Sequence, residues 1–173
     1  MILMTPAPVS TDDVTARIFL SWAHDDHREK DSLLGDLMKE LKVLAGVRFD
    51  WWEDSHLDLG EHWRRGILAR LEECDYGLQL LSPCFFASDF IARHEIPPFV
   101  GPEPRKRALP VGLRPFALDG SARTHGVEAL QVFLLDGKFF SQLTTRVAKQ
   151  RFARELAQRI RRRLLDLDTW QPL

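Results

Sequence analysis

Cysteine is scarce in this chain: Cys74 and Cys84 are its only two, and no CxxC pair occurs. That argues against a disulfide scaffold and against a zinc site. No apolar run approaches the ~18 residues that cross a bilayer, so no transmembrane span is expected. No GxGxxG follows the first apolar run and no GxxxxGK[ST] occurs, which removes a dinucleotide fingerprint and a P-loop. A GxSxG elbow is also missing, and with it the α/β-hydrolase triad. Neither sign of charge dominates: the formal net charge is -1. No global field therefore draws the protein to nucleic acid or to a membrane. The opening MILMTPAPVSTDD lacks a basic stretch followed by a long apolar one, so no signal peptide is expected and the cytoplasm is the expected compartment.

What is present reads as one α/β domain. The 173 residues, 45% hydrophobic and 28% charged, suffice for one core. Residues 1–15 read as a flexible leader, 16–166 as the domain and 167–173 as a C-terminal tail. ARIFLSWA (16–23) is a continuous apolar run, the pattern of a strand buried on both faces of a parallel sheet. Leu33, Leu34, Leu37, Met38, Leu41 and Leu44 recur at helical spacing before Gly46. Further strands are expected at VRFDWWED, YGLQLLS, ALPVGLRPF and LQVFLL. Helices are expected over about 63–74, 83–96 and 142–165, the last with Val147, Leu156, Ile160 and Leu164 on its apolar stripe. Strands alternating with helices predict a parallel sheet of about five strands, and no internal repeat is found.

Histidines are scattered, and His24-Asp25-Asp26-His27 reads as solvated loop charge rather than a metal site. Arg159, Arg161, Arg162 and Arg163 suit either phosphate contact or the C-terminal end of a helix dipole. No aromatic residues interleave with them to stack bases. One stretch poses a sharper question. In SDFIARHEIPP (88–98), Glu95 sits where a helix must end at Pro97-Pro98, and the dipole there disfavours a carboxylate. Either Glu95 is an exposed helix-end acid, or it faces a cleft.

Three segments in order, IFLSWAHDD (18–26), FDWWEDSHLDLGEHWRRGI (49–67) and LLSPCFFASDFIARHEI (80–96), together resemble the bacterial form of the TIR (Toll/interleukin-1 receptor homology) domain. The closing LQVFLLDGKFFSQL and a terminal helix extend the resemblance to about 16–166. It implies a flavodoxin-like three-layer fold. In such open sheets ligands bind beyond the carboxyl ends of the strands, here at 21–23, 53–54 and 82–83. It further implies cleavage of the nicotinamide–ribose bond of NAD+, with NAD+ as substrate and no resident cofactor or metal.

By the same resemblance Glu95 is the catalytic carboxylate, and Ser21, Trp22, Ala23, His24, Glu53, Phe90 and Ile91 line the substrate site. Trp22 suits stacking on a base or a place in the core. Ala23 and His24 fall where some relatives carry basic residues; Glu53 falls where an acid is usual. Ile91 departs from the family, which often has Trp four residues before the glutamate, and Phe90 beside it is a candidate for part of that wall. His56, Leu57, Asp58, Leu59, Gly60 and Trp63 resemble the BB loop through which such domains associate; alternatively, Trp63 staples the following helix. The resemblance implies a homo-oligomer, with a separate sensor or effector subunit as a further partner, acting in bacterial anti-phage defence. The alternative is a non-enzymatic adaptor joined to other TIR domains through the same loop. A receiver domain fits less well, because the third strand ends in Ser82-Pro83 rather than Asp.

Overall fold

The computed structural model describes residues 13–53 and 62–165. Its centre is an all-parallel sheet of four strands: β1 (Val14–Ser21), β2 (Val47–Trp52), β3 (Tyr76–Leu81) and β4 (Arg107–Gly112), in the order β2-β1-β3-β4. That is the flavodoxin-like order, entered here two residues earlier than the sequence reading put the first strand. The two central strands are those with the longest apolar runs, because both of their faces are covered.

Helices α1 (His27–Lys42) and α4 (Arg146–Leu164) cover one face. Leu33, Leu37 and Leu41 meet Phe152, Leu156 and Ile160 over Ile18, Leu20, Leu78 and Leu80. On the other face, α2 (Trp63–Glu73) lays Ile67 and Leu71 against Phe19 and Phe99. The short α3 (Pro83–Ala87) and a π-helical turn (Ile91–Glu95) complete that layer with Phe85, Ile91 and Ile96 around Leu81. Gly77 of β3 is needed there: a Cβ at this position would lie 2.7 Å from the Phe99 ring.

Three expectations are corrected. The fifth strand over 130–135 is reduced to a single parallel bridge, Val111 with Phe133. Phe133 donates to the Pro110 carbonyl and accepts from Gly112 N–H, both at 2.9 Å. The next rung down would need an N–H from Pro110, which has none, so the ladder stops. The fourth strand likewise ends at Gly112 rather than running to residue 116. The last helix starts at Arg146, where the Thr145 hydroxyl accepts from Ala148 N–H at 3.1 Å, and Phe140–Gln142 is a separate 3-10 turn. Val147, expected on the apolar stripe, is 76% exposed in that first turn.

Candidate functional site

β1 and β3 are neighbours whose following helices lie on opposite faces of the sheet, so their carboxyl ends flank the topological switch point, where a crevice opens. A cavity of about 500 Å³ lies there. Trp22, Ala23 and His24 contribute from the end of β1, Trp63 and Ile67 from α2, and Phe90, Ile91 and Glu95 from the segment after β3.

Glu95 reaches this cavity because its helical turn is underwound to the π form. Ile96 N–H donates to the Ile91 carbonyl at 3.0 Å, a five-residue spacing, so one extra residue is held in the turn. The Ser88 hydroxyl accepts from Ile91 N–H at 3.3 Å and steadies its start. The turn carries Glu95 inward, where it is only 7% exposed. The surface alternative is thereby settled against. Ser21, 1% exposed at the end of β1, donates its hydroxyl to Glu95 Oε2. Ser21 therefore sits behind the carboxylate and does not itself line the cavity.

Ile91 is buried with Ala23, Leu81 and Phe85. The aromatic part of the wall comes instead from Phe90, whose ring centroid is 5.2 Å from that of Trp63 and 4.8 Å from that of His94. Trp63 opens α2 and is 51% exposed, so it stands at the lip of the cavity, packed against Phe90. Trp22 does both things the sequence allows: it lines the cavity and packs on the core beneath α1. Its ring lies 5.2 Å from that of His24 and 4.1 Å from the Lys30 ammonium.

Lys30 explains the position of Glu53, which stands back from the cavity. Its ammonium lies 2.8 Å from Asp31 and 3.5 Å from Glu53. Desolvation works against the charged amine, but its bonds and attraction to Asp31 and Glu53 outweigh this and hold its pKa above the ordinary lysine value. The result is a fixed cation on the Trp22 ring. His56, Leu57, Asp58, Leu59 and Gly60 lie outside the described residues.

A second buried polar group braces the crevice. Asp26, fully buried, accepts from the Ser82 hydroxyl and from Arg114 Nη1, the latter at 2.8 Å. Its bond to Asp26 raises the Arg114 pKa. Ser82 also caps α3, accepting from Phe85 N–H at 3.0 Å. Asp26 is therefore not the solvated loop charge the sequence suggested. Lys30 and Arg114 carry no signal in the sequence, and neither do the bonds of Asp26 and Ser82, because each gains its meaning from a partner distant along the chain. Only a run such as HDD directly after a buried strand hinted at one of them.

Chemically, the crevice offers an inward carboxylate, a ring-lined wall and few competing charges. Such a site favours positive charge developing on a bound ligand. No family model and no curated protein matches the chain. Fold and site together define a flavodoxin-like α/β domain with a carboxylate-bearing crevice at its switch point.

Proposed function

We propose that the protein is a TIR-domain NAD+ nucleosidase. The observation that carries this reading is Glu95, buried by the π-turn and presented to the crevice at the β1/β3 switch point. The nicotinamide–ribose bond breaks with its electron pair leaving on neutral nicotinamide, so no acid is needed for departure. The ribose carbon turns oxocarbenium-like, and the Glu95 carboxylate stabilises that charge and orients the ribose hydroxyls. Water then adds to the ribose carbon and loses a proton, giving ADP-ribose; attack by a ring nitrogen of the adenine instead gives a cyclic isomer. Phe90 and Trp63 supply the ring surface that Ile91 does not. Activity of this kind suits bacterial anti-phage defence, switched on by assembly or by a partner subunit.

The test is nicotinamide release from NAD+ by concentrated protein. Glu95→Gln is expected to lower it by about 100-fold or more while leaving the melting temperature near that of the wild type. A Glu95→Gln variant as active as the wild type would sink the assignment.

A specific observation also favours self-association, which both the enzyme and the alternative adaptor would use. A groove of about 950 Å³ runs between the outer edge of β4 and α4. Buried Leu109, Val111, Leu156 and Ile160 form its apolar part, and Arg105, Arg107, Arg159 and Arg163 surround it. The sequence from Asp54 to Trp63 carries Asp54, Asp58 and Glu61 among Leu57 and Leu59, a complementary composition for this groove in a second copy. Light scattering that shows salt-sensitive oligomers without NAD+ cleavage would favour the adaptor.

A further inference from the structure

β3 holds one amide in an otherwise apolar interior run, Gln79 between Leu78 and Leu80. Gln79 is 0% exposed, and neither Nε2 nor Oε1 has a hydrogen-bond partner among the described residues. A buried amide without partners is a standing cost that an aliphatic side chain would avoid. Its neighbours show where a use for it lies. Gln79 is paired with Ser21 on β1 and with Pro110 on β4. Leu78 and Leu80 point into the core beneath α1 and α4, so Gln79 points to the opposite face. Residues paired across parallel strands share a face, which sets Gln79 beside Ser21 under the π-turn. On its other side the Pro110 ring brings no donor. The polar register partner on this face is the Ser21 hydroxyl, already given to Glu95.

We propose that Gln79 is a positioning residue for Glu95, a role that rests on the reading of Glu95 as the carboxylate of NAD+ cleavage. While Ser21 holds Glu95, the amide has no work. When Glu95 turns from Ser21 toward a ribose, the Ser21 hydroxyl donates to Gln79 Oε1 and Gln79 Nε2 donates to the carboxylate oxygen nearest the sheet. Partners are exchanged with no proton moved between residues. The cost stored in the idle amide is released as Glu95 takes its working position, which lowers the barrier to that turn.

Gln79→Met keeps the length and removes the hydrogen-bonding atoms. It is expected to leave the melting temperature unchanged or higher, while kcat for nicotinamide release falls by about tenfold or more and KM stays within about twofold. A lower melting temperature with unchanged kcat would overturn the proposal, because the amide would then be purely structural. A second measurement uses the wild-type chain and needs no turnover. The side-chain amide resonances of Gln79, identified by their loss in Gln79→Met, are expected to move as Glu95 titrates and to stay still in Glu95→Gln. Resonances indifferent to Glu95 overturn the proposal. Wild-type protein that releases no nicotinamide defeats the NAD+ reading alone, and the amide titration still decides whether Gln79 is coupled to Glu95.

Discussion

The Ser21 hydroxyl, at the last residue of β1, donates to the Glu95 carboxylate 74 residues further along the chain. This bond ties the end of a central strand to the π-turn and gives a buried carboxylate a donor. Ser21→Ala leaves that carboxylate short of a partner and is expected to cost about 1–3 kcal/mol. Urea unfolding with an unchanged slope would measure it. Nicotinamide release is expected to fall in parallel, because Gln79 Oε1 then has no Ser21 hydroxyl to accept from when Glu95 turns to the ribose.

Asp26 and Arg114 form a second long-range polar contact at the crevice, with Asp26 fully buried and the Arg114 side chain 38% exposed. Arg114→Met removes the only cation bonded to that acid among the described residues and is expected to destabilise by on the order of 3 kcal/mol. Adding Asp26→Asn should recover part of the loss. A double-mutant cycle on unfolding free energies checks both numbers.

The two thiols are expected to part in reactivity. Burial pushes the Cys74 thiol up to about 11, so near pH 8 it stays protonated and shielded in the folded chain. Cys84 lies on the wall of the crevice. Mass spectrometry after brief alkylation should find one adduct, on Cys84, and two only after denaturation. The adduct fills part of the crevice, so nicotinamide release should drop with it.

Gly77→Ala puts a methyl group 2.7 Å from the Phe99 ring, between a central strand and the segment after the π-turn. Overpacking there is expected to cost about 1–3 kcal/mol and to lower the melting temperature. Phe99→Leu in the same chain should restore part of the loss, since it withdraws the ring that collides.

Much of the sheet was legible because β1 and β3 each announce themselves through one mainly apolar run. LQVFLL has the same look, yet Pro110 on the facing edge has no N–H to give it, and a strand's partner cannot be read from the strand. Glu95 was visible as an anomaly of position: an acid at a helix end, before two prolines. That it turns inward depends on a five-residue hydrogen bond from Ile96 to Ile91, which no composition signals. Gln79 was invisible for the opposite reason, since a single polar residue inside an apolar run is lost in the average.

The overlong turn also sets which errors the protein can absorb. Arg93 is exposed, and exchanging it leaves the backbone count intact. Deleting one residue between Ile91 and Glu95 would instead let the turn relax to ordinary α-helix, in which three steps of about 100° replace four of about 80°, so the glutamate would shift by about 30° around a narrower helix. At this site the number of residues is under tighter constraint than most of their identities, so a variant one residue shorter is expected to be a folded protein whose carboxylate is drawn off the Ser21 hydroxyl.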